Sequence, residues 1–404
     1  MQVQTADFNR GPCSGIRVLE FSSMVAGPLA GQNLGDLGAD VIKIEGLVGD
    51  TARMMGPPFR AGLSGFFTQM NRNKRSIVVD LKSEQGKDIV RVLAKNADVV
   101  IENFRAGVMD SLGLGYADLK AINPQLIFVA ISGFGPDGPY SELPVYDLVI
   151  QGMSGMMPIQ GTPAQPKMFQ TVMADKNAAI TAASCTLAAL LARERFGLGQ
   201  RVDVPMLDAY AQLTMPDVVC TESFQPPEKF ERNYPDLFRT WKTRDGWVVG
   251  VAIEDRQFAG ICKALDCEHL IDEPQFKTII DRFVNFTAMT VALDKFMLNW
   301  DAADVVKRAR ENGAPFAPVY TMNEFLEDPQ VKHNRTVFTV NDSAVNDSNG
   351  GETLYVRHPG HYSETPATFR RHAPRFGEHT NEILAAAGFS DEQIDTLRNS
   401  KIVA

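Results

Sequence analysis

Residues 17–45 read RVLEFSSMVAGPLAGQNLGDLGADVIKIE, and this stretch decides the fold. Two β-type runs, RVLEF at 17–21 and VIKI at 41–44, flank LAGQNLGDLG, whose length and composition suit a helix crossing from one strand to the next. The alternation continues outward through SIVVD at 76–80, DVVIE at 98–102 and LIFVAI at 126–131, with EQGKDIVRVLAKN and YADLKAIN between them. Strands that are mostly unbroken apolar runs, separated by helices, form a parallel sheet covered on both faces. The expected fold is therefore α/β and doubly wound. Ligands in such sheets bind at the carboxyl ends of the strands. Here those ends carry SSMVAGP, EGLVGD, NFRAG and SGFGPDGPY. None is a GxGxxG at strand-to-helix spacing or a GxxxxGK[ST] loop, so neither the usual dinucleotide site nor the usual ATP site is indicated.

The remainder of the 404 residues has a different texture. FQPPEKFERNYP at 224–235 is a proline-bearing, charged connector, and LFRTWKTRDGWVVGVAI reads as two strands joined through the Asp245-Gly246 turn. Helical patterns follow at about 255–265, 288–300 and 302–312, then a short strand APVY and a helix MNEFLED. The stretch 334–370 is polar, with a loop at NDSAVNDSNGG, and the tail carries two short helical patterns. These features predict a smaller α+β domain at 223–330 and a large domain made of 1–222 with 331–404.

A net charge of -9 supplies no general basic field, so nucleic acid is not an expected partner. Five cysteines without a close CxxC pair suit a reducing compartment. The start MQVQTADFNRG lacks the basic and apolar segments of a signal peptide. The longest apolar run, 178–192, is broken by Thr181, Ser184 and Thr186 and falls short of the ~20 residues that span a bilayer. A cytoplasmic protein with no membrane role is expected.

All six histidines lie at or beyond position 269, which leaves the doubly wound half without one. No GxSxG elbow supplies a triad serine, and no HExxH, paired-cysteine or histidine-rich spacing marks a metal site. Carboxylates, amides, Tyr and Lys/Arg remain. Among them Asp175 opens the alanine-rich helical stretch TVMADKNAAITAASCTLAALLARE at 171–194. It stands where an N-cap would, and a cap is a sufficient structural role. An aspartate is also ionised at neutral pH and can attack an activated carbonyl directly, so the chemistry permits acyl transfer through an anhydride, although the stretch by itself favours the cap. The cluster NRNKRS at 71–76 with Lys82 suits either the phosphates of a large anionic cofactor or a solvated loop. GMSGMMPIQG at 152–161 suits either a pliable wall for an acyl chain or core filling.

Several segments in a shared order resemble the class III CoA-transferases, the CaiB/BaiF-like family of formyl-CoA:oxalate and carnitine CoA-transferases, to which α-methylacyl-CoA racemases are related. They are VLEFSSMVAGPLAGQNLGDLGADVIKIE, NRNKRSIVVDLKSEQGKDIV, ADVVIENFRAGVMDSLGLGY, NPQLIFVAISGFGPDGPY, LPVYDLVIQGMSG, LAALLARERFGLGQRVDVPMLDA and GEHTNEILAAAGFSDEQI. The resemblance implies a Rossmann-like large domain built from both ends of the chain, a small domain between them, and an interlocked homodimer. It implies acyl-CoA and a carboxylic acid as substrates, with no permanently bound cofactor. Asp175, in VMADKNAA, falls on the family's nucleophilic aspartate, which forms an aspartyl anhydride and then an aspartyl-CoA thioester. Tyr146 and Asp147 of the VYD segment stand where racemases resemble GHD. A tyrosine, ionising near pH ~10, is a poor base for an α-proton, so Tyr146 is expected to orient substrate and a transferase is favoured over a racemase. The resemblance further puts Met24, Val25, Ala26 and Lys82, and with them Asn103 and Arg105, beside coenzyme A. Formyl-CoA transferase carries Gln, Arg and Arg where Val25, Gly46 and Ser111 stand, and its glycine run in the small domain is missing, which points away from oxalate and formate. The alternatives are an acyl-CoA racemase or epimerase using another base, and a non-catalytic CoA-ester-binding protein.

Overall fold

The computed structural model describes residues 11–60, 62–224, 226, 238–341 and 352–404, which form two compact units. The first comprises Met1–Cys220 with Arg335–Ala404, and the second Thr221–Asn334. The connector at 224–235 and the loop at 341–351 lie almost wholly outside the described residues.

The first unit is built on six parallel strands: β1 (Arg17–Phe21), β2 (Asp40–Glu45), β3 (Lys74–Val78), β4 (Val99–Glu102), β5 (Ile127–Ser132) and β6 (Arg201–Pro205). Their order across the sheet is β3-β2-β1-β4-β5-β6. Successive side chains point to opposite faces. Val18, Val41, Val99, Ile101, Val129 and Ile131 face one core, and Leu19, Ile42, Val100 and Phe128 face the other. The expected mixed α/β architecture with a parallel sheet is therefore observed. Two details differ. The third strand begins at Lys74 rather than Ser76, because the Lys74 ammonium pairs with the buried Glu20 and the Arg75 guanidinium with the partly exposed Asp40. The sixth strand, RVDVP, was not anticipated.

The helices joining these strands are α1 (Ala26–Asp36), α2 (Gly65–Asn71), α3 (Glu84–Ala94), α4 (Tyr116–Ile122), α5 (Asp147–Met153) and α6 (Met173–Phe196), with α7 (Met206–Thr214) after β6. On α6, Ala174, Ala178, Ala179 and Ala182 are fully buried and share a core with Ala26, Ala30 and Leu34 of α1. Small side chains let these two helix backbones approach closely. The helix ends at Gly197, whose φ of +71° is the left-handed turn that glycine adopts without steric cost.

The second unit holds an antiparallel sheet of β7 (Thr240–Lys242), β8 (Trp247–Gly250) and β9 (Phe316–Pro318) in the order β9-β8-β7. Three helices, α8 (Asp255–Ala264), α9 (Phe286–Met297) and α10 (Ala302–Glu311), share a core with Trp241, Val248 and Phe316. Back in the first unit, β10 (Val337–Val340) and β11 (Thr353–Val356) pair antiparallel inside the polar stretch 334–370, where the sequence reading placed a loop at NDSAVNDSNGG and named no strand. α11 (Thr380–Ala386) and α12 (Asp391–Asn399) then add Ile383, Leu384 and Ile394 to the core beneath α3 and α4. Among the described residues no helix is long and apolar enough to cross a membrane.

Candidate active site

β1 and β4 are neighbours in the sheet, yet their following connections lead to opposite sides: β1 continues through α1 to β2, and β4 through α4 to β5. The two loops therefore part, and a crevice opens at the carboxyl ends of these strands. A cavity of about 320 Å³ lies there. Its walls include Met24 and Ala26 after β1, Asn103 and Arg105 after β4, Ser132 and Gly133 at the end of β5, and Tyr146 before α5. Among the described residues lining it, Asp175 is the one acidic side chain and Arg105 the one basic side chain.

The loop after β1 is clamped from below. The Asn103 amide accepts a hydrogen bond from the Ser23 N–H at 3.0 Å and donates one to the Ser23 carbonyl at 2.9 Å. The next residue, Met24, has φ +67°, a left-handed conformation that costs a bulky side chain energy. Its N–H donates to Asp50 Oδ1 at 3.0 Å.

The structure corrects the expectation that Asp175 caps its helix. α6 starts at Met173, Val172 is the N-cap residue, and it makes no side-chain cap bond. Asp175 instead occupies the first turn, where its own N–H donates to Asp147 Oδ2 at 3.0 Å. Asp147 thus performs the capping from α5, a tertiary substitute for a local cap. Its other oxygen accepts from Gln151 Nε2 at 2.5 Å. Gln151 is fixed in turn by the Thr171 carbonyl and the Phe169 N–H, at 3.1 and 3.0 Å.

The Asp175 carboxylate is left without a hydrogen bond or ion pair among the described residues and borders the cavity. Burial, reinforced by the Asp147 charge, pushes its carboxyl from the ordinary 3.8 up to about 7. The residue is therefore not fully ionised at neutral pH in the free protein, contrary to the reading from the sequence. A half-buried carboxylate with no partner to stabilise it is a better nucleophile than a fully solvated one.

Met24, Ala26, Asn103, Arg105 and Tyr146 are thus brought to one cavity with Asp175, and Asp147 stands directly behind it. Tyr146 is 73% exposed and free to meet a ligand. Val25 is buried as the N-cap residue of α1, and Lys82 is exposed beyond β3; both lie outside the cavity lining.

The NRNKRS cluster is neither a phosphate cradle nor a solvated loop. Arg72 pairs with Asp36 at 2.5 Å, Lys74 with Glu20 at 2.8 Å and Arg75 with Asp40 at 2.6 Å, and all six residues of the cluster are buried. In GMSGMMPIQG, Met156 packs on the core while Met153 is exposed, and neither lines the cavity. A broader hollow of about 880 Å³ includes Thr171, Val172 and Lys176 around the start of α6, but not Asp175.

Sequence reasoning missed Phe104, Val145 and Met206 in the lining, as well as the buried Asp50 beneath it. The aspartate in EGLVGD at a strand's carboxyl end was a usable signal for Asp50.

The sequence pattern of CoA-transferase family III matches residues 13–380. A succinate–glutarate CoA-transferase from Agrobacterium fabrum is 36% identical over 93% of this chain and 95% of its own length. The Homo sapiens succinyl-CoA:glutarate CoA-transferase is 31% identical over 98% of this chain and 90% of its own. The crystal structure of a CAIB/BAIF family protein from Brucella suis superposes with a TM-score of 0.81 at 33% identity, covering 94% of this chain and all of that one (100%). The match runs through every strand of the parallel sheet and through the loops that hold the Asp175 cavity. This chain belongs to CoA-transferase family III and is a CoA-transferase, an enzyme acting on CoA thioesters.

Proposed function

We propose that the protein moves CoA from an acyl-CoA donor to a carboxylic acid through covalent intermediates on Asp175. The observation that carries this reading is the unpartnered Asp175 carboxylate at the wall of a cavity lined by the β1 and β4 loops. An Asp175 oxygen attacks the thioester carbonyl, the C–S bond breaks, and CoA leaves as thiolate, giving a mixed anhydride. The thiolate attacks the aspartyl carbonyl of that anhydride and expels the donor acid as carboxylate, giving an aspartyl-CoA thioester. The acceptor carboxylate repeats the first step on this thioester, and CoA thiolate then takes the acceptor acyl group and restores Asp175. One thioester replaces another, so the reaction is nearly balanced, and the enzyme's task is to keep water from the anhydride.

In this reading Asp147 holds the nucleophile's backbone, Tyr146 orients substrate, and Met24, Ala26, Asn103 and Arg105 flank the thioester end of CoA. Val25 and Lys82, outside the cavity lining, act farther along the cofactor-sized substrate. The strand order β3-β2-β1-β4-β5-β6 supports a Rossmann-like assignment, with the crevice at its switch point. The large CoA-binding domain would be 1–222 with 331–404, and the small domain 223–330. The exposed Ile180, Leu187 and Leu191 along one side of α6 support a homodimer, interlocked as the family resemblance implies. The names of the Agrobacterium fabrum and Homo sapiens relatives make succinyl-CoA and glutarate the first donor and acceptor to try.

The test is intact-protein mass spectrometry after incubation with succinyl-CoA, glutaryl-CoA or a 2-methylacyl-CoA, followed by hydroxylamine. A hydroxamate on Asp175, absent from Asp175→Ala, is the expected result. Binding of CoA esters with no trappable species would overturn the covalent route. Incorporation of α-deuterium from heavy water into the 2-methylacyl-CoA would indicate a racemase instead.

A further inference from the structure

Beneath the cavity, but not in contact with it, lies a buried cluster of charges. Lys43 Nζ sits 3.1 Å from Glu20 Oε1 and 2.9 Å from Asp50 Oδ2, and all three side chains have no solvent exposure. Lys43 also donates to the Ser22 carbonyl at 2.8 Å. Asp50 is anchored from behind, since its N–H donates to Glu45 Oε2 at 3.0 Å and its Oδ1 also accepts from the Ala52 N–H at 2.9 Å. That same Oδ1 receives the N–H of Met24.

The loop after β1 is therefore gripped at successive backbone groups: Ser22 by Lys43, Ser23 by Asn103, and Met24 by Asp50. Met24 is the one held against its preference. A methionine at φ +67° returns to a commoner conformation unless something over-determines it. The anchor here is a fully desolvated carboxylate, and hydrogen bonds to charged acceptors are about twice as strong as neutral ones. The Met24 side chain packs on the small core of Ala52, Leu63, Phe67 and Ala373, while the Asp50 carboxylate holds its backbone. The strain falls in the wall of the cavity that holds Asp175.

We infer that Asp50 is a positioning residue for the transferase reaction, which through its hydrogen bond to the Met24 N–H keeps the β1 loop in the left-handed turn that shapes the CoA-ester side of the Asp175 cavity. This rests on the assignment of that cavity to CoA esters. Asp50 touches no substrate; it acts through Met24.

The experiment combines Asp50→Asn, Met24→Gly and the double variant. Asp50→Asn keeps one acceptor oxygen but loses the charge and sets an amide NH2 against the Lys43 ammonium, which forces the side chain to shift and weakens the Met24 bond; KM for the acyl-CoA is expected to rise about tenfold with a smaller change in kcat, because the wall and not the nucleophile is displaced. Glycine adopts φ near +67° without being held. In the Met24→Gly background the same Asp50→Asn change is therefore expected to alter KM less than about twofold. An equal KM effect in both backgrounds, or an unchanged KM in a folded Asp50→Asn, would overturn the inference, since a purely structural Asp50 lowers stability alone.

Asp50→Asn leaves Lys43 short of a counter-charge, so hydrogen exchange of the Met24 amide in the unmodified protein provides a reading that needs no variant. Protection of at least a hundredfold over the unstructured rate is expected, and exchange at the unstructured rate refutes the inference. If the unmodified protein neither binds nor turns over CoA esters, the functional assignment fails, while the exchange measurement still judges the Asp50–Met24 link.

Discussion

The backbone N–H of Asp175 donates to the carboxylate of Asp147, 28 residues earlier in the chain, at 3.0 Å. The bond fixes the first turn of α6 and sets a second negative charge behind the proposed nucleophile. The two effects separate by mutation. Asp147→Asn can keep an acceptor oxygen for the amide, at the expense of the Gln151 bond, but removes the charge, so the Asp175 carboxyl should titrate lower while remaining raised by burial. kcat/KM for the acyl-CoA is expected to rise with pH with a limiting slope of one and a midpoint near 7 in the unmodified enzyme, and lower in Asp147→Asn. A pH–rate profile of both proteins checks this.

The same shift has a consequence for stability. In the folded protein the Asp175 carboxyl is raised to about 7 from 3.8, so folding is not opposed by this group below pH ~4, where both states hold the proton. From there up to about pH 7 the unfolded chain ionises while the folded one resists, and stability falls; above about 7 the loss is constant. Asp175→Asn is therefore expected to raise Tm at pH 8 and to leave it nearly unchanged at pH 4. Thermal unfolding at the two pH values is the measurement.

Lys43 is the hub of the buried cluster. Burial alone would lower its pKa, yet Glu20, Asp50 and Glu45 together hold it above the ordinary lysine value. Lys43→Met removes the cation and leaves Glu20 and Asp50 under-compensated inside the protein. A loss of about 3–5 kcal/mol is expected, as for other broken buried pairs, and chemical denaturation measures it.

Gly31 marks where α1 crosses this cluster. A Cβ at that position would lie 2.0 Å from Glu20 Oε2, an oxygen that faces the Lys74 ammonium and has no freedom to withdraw. Gly31→Ala, normally favourable in a helix, should instead cost about 1–3 kcal/mol of stability. An unchanged or raised Tm would show that Glu20 has room to move.

The sequence by itself determined the parallel α/β sheet, because strand and helix are written in the spacing of apolar residues along the chain, and that spacing needs no knowledge of distant partners. RVLEF, VIKI and LIFVAI were legible for this reason. So was the candidacy of Asp175, since a carboxylate opening an alanine-rich helix near glycine-rich strand ends admits few chemistries, and family resemblance pointed to the same residue. Only the tertiary structure decided what surrounds it. The Asp147 bond replaced a local cap by one from another helix, and burial moved a carboxyl that composition alone would leave ionised. NRNKRS shows the same limit from the other side. Read locally it is a polar loop, but Asp36, Glu20 and Asp40 neutralise its cations from other elements, so it is buried. Whether a charge lies in water or in the core depends on counter-charges brought near by folding, and these have no fixed spacing in the sequence.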